Sequence, residues 1–393
     1  MDMSEPERSV RAMSNKRQSR RANGARGHAR KSEKTNSEST DNTTFTGIIR
    51  RALREHPVAL LSLASMTIHL GRPDALTLLK SGGHSEGKLD ASLTGLIGVC
   101  NRETTALLAV LAELLVDDPA AQMRCRQELA QRSEHVPRWI AVLPQAEAYR
   151  AVRRTDIFGD VDELVVGVRL HTGHELTVAV SINHNMWSHI DDAAAVQEPI
   201  EAALARVNAS SRDTRNTEMR LSDARAWIDE ALSKSVFVPK EAQWPAYRAL
   251  IQWLLQRLPE GGERRSSPTD WDVVEELCDG FFATKSAAPF TDFGHRELLP
   301  KLLETGSGDA LRWSVERVEA VLCRRPYSTY ASIPLEVSLD TPDLLHAFIP
   351  YAHAQSGIRD ELTLQVLRVI NQLRSVYKRD VLRESRLDVD DAV

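Results

Sequence analysis

The stretch ELVVGVRLHTGHELTVAVSI, residues 163–182, decides the fold class. Its apolar side chains fall on the even positions Leu164, Val166, Val168 and Leu170, and again on Leu176, Val178, Val180 and Ile182. A period of two marks a strand with one buried face. For both apolar sets to share that face, cross-strand partners must both be even, so the connecting loop must hold an odd number of residues. The spacing therefore predicts an antiparallel hairpin closed by His171, Thr172 and Gly173, with the glycine in the left-handed conformation.

Working outward, residues 146–153 and 190–196 read as flanking strands, and residues 198–207 as a helix able to cover the sheet. The next polar run, 209–216, reads as a loop. On both sides the period changes to that of a helix. Upstream, Leu107, Val110, Leu111, Leu114 and Leu115 recur at helical spacing behind a capping Asn101. Downstream, Tyr247, Leu250, Ile251, Leu254 and Leu258 do the same, and residues 359–382 form a long amphipathic stretch. Residues 259–269 hold two glycines, two prolines and two serines, the composition of a linker. The expectation is an α+β protein, predominantly helical, with one antiparallel three- to four-stranded meander between helical arrays. Its parts would be a disordered basic tail (1–44), a helical array with the sheet inserted at 146–207 (45–258), the linker, and a helical C-terminal domain (270–393).

Composition narrows the function classes. With 50 Lys and Arg against 55 Asp and Glu in 393 residues, no global field draws the whole chain to nucleic acid or membrane. Any such attraction must be local. The four cysteines, Cys100, Cys125, Cys278 and Cys323, form neither a CxxC pair nor a dense disulfide framework. No stretch matches a secretory signal or the roughly 20 apolar residues of a membrane span. A cytoplasmic protein without a membrane segment is expected.

The local charge sits in the tail. Residues 11–34 carry nine basic side chains against one acid, Glu33, so the remainder of the chain is net acidic. Within the tail, Arg17, Arg20, Arg21, Arg26, Arg30 and Lys31 are candidate nucleic-acid contacts, since arginines among Ser, Gly and Asn bind phosphate by counterion release without reading sequence. The strands 163–170 and 175–182 contain no Phe, Tyr or Trp, so an RNA-recognition stacking platform is not expected there.

His171, His174, His184 and His189 cluster in sequence, but His174 and His184 bracket one strand and should stand roughly 30 Å apart at about 3.3 Å per residue. What remains is His184, His189 and Asp191 around one strand connection, an approximation to a two-histidine, one-carboxylate metal site. The commoner reading of such residues is a solvated turn. No GxGxxG, GxxxxGK[ST] or HExxH occurs, and no cofactor is implied.

Five segments, RALREHPVALLSLAS (51–65), RETTALLAVLAELL (102–115), GVRLHTGHELTVAVSINHN (167–185), RWSVERVEAVL (312–322) and DLLHAFIPYAHAQSGI (343–358), give the chain a resemblance to an uncharacterised protein family of high-GC bacteria. The similarity runs through most of residues 50–375 and leaves out the tail. This chain has Asn183, Asp191 and Val315 where those proteins more often carry Asp, Lys and Pro. The resemblance implies a shared fold and no established activity. The functional expectation is a cytoplasmic binding or regulatory protein without catalysis, its basic tail contacting nucleic acid or its surface a protein partner. The alternative is a metal-dependent enzyme centred on His184, His189 and Asp191.

Overall fold

A computed structural model describes residues 45–72, 88–185, 187–209, 213–235, 242–266, 271–323 and 333–391. The chain divides into two units, Met1–Gly47 and Ile48–Val393. Of the first, only residues 45–47 are described, and they are helical. Everything below concerns the second.

The expected architecture is present: an α+β fold, mostly helical, around one antiparallel sheet. Five strands form that sheet, β1 (Glu147–Asp156), β2 (Val161–Arg169), β3 (Glu175–Asn183), β4 (His189–Val196) and β5 (Thr214–Met219), in the order β4-β3-β2-β1-β5. The β2–β3 register pairs Val168 with Leu176, Val166 with Val178 and Leu164 with Val180, even with even. Leu170 N–H donates to His174 O at 2.8 Å, closing the three-residue loop, and Gly173 has φ of 89°. Only glycine takes that conformation without the steric cost of a Cβ. Strand β5 lies where the sequence suggested a loop. Its residues, TRNTEM, are mostly exposed, so it carries no apolar alternation. An edge strand of this kind is held by its ladder to β1 and by cross-strand charge, here Arg150 reaching Glu218.

Upstream, helices α1 (Pro57–Gly71) and α2 (Arg102–Leu114) pack together. Asn101 Oδ1 accepts the Thr104 N–H, capping α2 as its sequence implied. Helix α3 (Ile200–Asn208) lies on one face of the sheet, where Ile200 and Leu204 bury Val152 and Val165. The opposite face carries the even row of β2 and β3. There α4 (Leu221–Lys234) sets Trp227 beneath the Arg153 guanidinium, 4.9 Å from the ring centroid. The C-terminal helices, including α5 (Val315–Cys323), α6 (Thr341–Ser356) and α7 (Asp360–Asp391), share a separate apolar cluster around Trp313, Phe281 and Phe348. Residues 259–266, read from composition as linker, run beside α4: Glu263 N–H donates to Asp223 Oδ1, and a Cβ on Gly262 would strike the Ser222 carbonyl. That path delivers Arg265 to the sheet. Among the described residues no helix is long and apolar enough to cross a membrane.

Candidate functional site

The apolar row of β2 ends in a charge. Asp162 stands two residues before Leu164, on the same face, and is fully buried. Its cross-strand partner is Ile182, and beyond Ile182 the His184 N–H donates to Asp160 O at 2.8 Å, extending the ladder past the strand end. Even parity therefore places the His184 ring diagonally beside Asp162. Its Nε2 lies 2.9 Å from Asp162 Oδ2.

Three further groups converge on this carboxylate. Arg153 Nε donates to Oδ1 at 2.7 Å, Thr155 Oγ1 donates to the same oxygen at 2.5 Å, and Arg265 Nε lies 3.9 Å from Oδ2. Arg153 and Thr155 are there because β1 pairs them with Leu164 and Asp162, on the same face. Burial by itself would raise the acid's pKa, but the hydrogen bonds from His184, Arg153 and Thr155 outweigh it and bring the carboxyl down to about 2. Burial pushes His184 below its ordinary value, with the Asp162 hydrogen bond opposing and the Arg265 charge adding to the fall. At neutral pH the pair is a carboxylate beside a neutral imidazole.

That state fixes the tautomer. An ionised carboxylate only accepts, so Nε2 carries the proton and Nδ1 is left with a lone pair. Nδ1 faces Ser188 Oγ at 2.8 Å, so the serine hydroxyl donates to it. The result is one continuous chain, Ser188 to His184 to Asp162. Ser188 is half-buried, and both it and Trp187 have left-handed backbone, with φ of 56° and 62°. Two successive non-glycine residues in that region cost roughly 1–2 kcal/mol each, and such outliers persist only where surrounding contacts hold them. On the outer side, the Trp187 indole is 81% exposed. On the inner side, Ile190 N–H donates to Ser235 Oγ at the end of α4, which anchors the return into β4.

The tip of β1–β2 docks beside this loop on the C-terminal helices. Asp156 Oδ1 accepts the Asp160 N–H, and burial together with the Asp160 charge raises Asp156 to about 6. Burial also raises Asp160, opposed by Ser314, Arg317 and Asn185. Arg317 is fully buried, stacks on Trp313 at 4.0 Å and donates to the carbonyls of Arg312 and Leu303. Burial brings its pKa down to about 10. Gly306, with φ of 69°, lets the chain pass within reach of Arg317 and Asn185: a Cβ there would lie 2.8 Å from Asn185 Oδ1 and 2.9 Å from Arg317 Cδ.

The three residues suggested as metal ligands are distributed differently. His184 turns to the Asp162 face with both nitrogens engaged. His189 pairs with Asn183, one residue from the Ile182–Ile190 pair, so strand alternation places it on the other face. Asp191 is the extra residue where the β3–β4 register shifts, and it is exposed; its Oδ1 lies 3.9 Å from His189 Nε2. Among the described residues, no group of three or more His, Cys, Asp or Glu is arranged to hold a metal ion. Arg17, Arg20, Arg21, Arg26, Arg30 and Lys31 lie outside the described residues. The sequence reading passed over Asp162, Ser188, Arg153 and Arg265. Parity alone could have found the first, since it continues the even row and falls next to His184 in the predicted register.

No family model, curated protein or solved structure matches this chain.

Proposed function

We propose that this chain is a cytoplasmic nucleic-acid-binding protein that attracts single strands through its basic tail and holds them at the Trp187 loop. The observation that carries the reading is an exposed indole on left-handed backbone, next to Ser188, whose hydroxyl is hydrogen-bonded to buried His184. A rigid, solvent-facing aromatic loses little entropy on binding, and base stacking on one is worth about 1–3 kcal/mol. The basic tail supplies the cations. A reducing compartment accords with the absence of any disulfide among the described residues.

The test is fluorescence anisotropy of a labelled single-stranded oligonucleotide with the full-length chain, at about 50 and 200 mM salt. Replacing the six tail cations at 17, 20, 21, 26, 30 and 31 with Gln should flatten a log–log salt slope of roughly −4, the value for six phosphates on a single strand. Trp187→Ala should weaken binding about 5- to 150-fold at either salt. Equal affinity of wild type and both variants overturns the proposal.

A further inference from the structure

The Ser188–His184–Asp162 chain has a consequence separate from nucleic-acid binding. We propose that Ser188 is an activated nucleophile, with His184 as its general base and Asp162 as the group that orients the base, and that the site takes carboxylic esters.

A serine hydroxyl is a weak nucleophile unless a neutral base lies within hydrogen-bond reach, and that base works best when a third group fixes its tautomer. Ser188 Oγ lies 2.8 Å from Nδ1, and Nε2 lies 2.9 Å from a buried carboxylate, so both contacts are within working distance. The two nitrogens are used in the opposite order from the usual serine–histidine–aspartate arrangement, which the chemistry tolerates because either nitrogen can hold the lone pair. Exposure is graded in the useful direction: Asp162 and His184 are buried and Ser188 is partly open to solvent. The left-handed backbone at Ser188 is the kind of strained position at which functional groups concentrate. Arg153 and Arg265 hold the Asp162 carboxylate ionised, so it orients His184 without taking the proton itself.

With an ester, Ser188 Oγ forms a bond to the carbonyl carbon while its proton passes to His184 Nδ1. The carbon–alkoxide bond then breaks, the alkoxide takes that proton and leaves as an alcohol, and an acyl-serine remains. Water repeats the sequence: it gives its proton to His184, its oxygen bonds to the acyl carbon, and Ser188 leaves reprotonated as the carboxylic acid is released. No oxidant or cofactor enters the balance.

The experiment treats the full-length protein with a biotinylated fluorophosphonate. Ser188 Oγ would displace fluoride from phosphorus, the proton and fluoride passing to water, and mass spectrometry of the digest would locate the adduct. A parallel assay follows p-nitrophenyl acetate for a burst of p-nitrophenol. We expect labelling at Ser188, none there in Ser188→Ala, and at least a 100-fold slower rate in His184→Gln, the scale of one general base. Ser188→Cys, which keeps a hydrogen-bond donor in place, should be alkylated by iodoacetamide at least tenfold faster with His184 present than in the double variant. Circular dichroism of each variant establishes that it is folded. A folded wild type that carries no adduct at Ser188, or one whose labelling is unchanged by His184→Gln, overturns the proposal and leaves the chain a purely structural support for Trp187.

Discussion

Replacing Asp162 by Asn swaps the carboxylate for a neutral group of the same shape, a close stand-in for the protonated acid. The folded carboxyl titrates at about 2 against an ordinary value of 3.8, so the native state favours its ionised form by nearly two pH units. At 1.36 kcal/mol per unit, ionised Asp162 contributes about 2 kcal/mol at neutral pH. Because the folded pKa is depressed, that contribution is present above 3.8 and disappears as pH falls through 2. Asp162→Asn should therefore cost about 2 kcal/mol at neutral pH, about 1 kcal/mol near pH 3, and nothing below pH 2. Asp162 is fully buried, so solvent screening does not reduce the figure. Urea unfolding of wild type and variant, followed by tryptophan fluorescence, measures the gap at each pH, and titrations elsewhere in the chain cancel in the difference. A gap that stays constant between neutral pH and pH 3 would mean that the ionised form is not what the surrounding donors stabilise.

Two other perturbations test the support of the site. His353 is buried, with Nε2 accepting the Trp313 N–H at 3.2 Å and Nδ1 2.9 Å from Thr363 Oγ1, and burial pushes it down to about 4. Its folded pKa lies below the ordinary 6.5, so the stability it confers is intact above that value and is lost toward pH 4. Between neutral pH and about 4.5, wild type should lose about 2 kcal/mol more than His353→Gln, measured by the same urea titrations. Gly306→Ala would impose a left-handed alanine and press its methyl into Arg317 and Asn185. A cost of about 2–4 kcal/mol is expected, read as a lower urea midpoint with an unchanged slope.

Much of the fold was legible because the sheet advertises itself through alternation. The even rows of 163–182 specify strand, register and loop length together, and Asn101 marks the start of α2 through its side-chain oxygen. Strand β5 was not legible: a polar edge strand buries neither face and leaves no periodic trace. The site was half legible. His184 drew attention as a candidate ligand, yet its partners are Asp162 and Ser188 rather than His189 and Asp191, because strand alternation separates the two histidines and a register shift turns Asp191 to solvent. Arg265 sits in a stretch whose glycines, prolines and serines resemble a linker, and nothing in that composition indicates that it packs along α4.

From its residue order alone, this chain determines a helical protein with one antiparallel sheet and a basic leading segment, since periodicity and local charge are properties of neighbours along the backbone. Which side chains meet at the end of that sheet was decided by the folded structure. The Asp162 carboxylate of β2 is shared by groups from β1, the β3–β4 connection and residue 265, brought together by strand pairing and by a loop crossing the sheet. Such contacts depend on the summed packing of distant segments, and no short-range pattern encodes them.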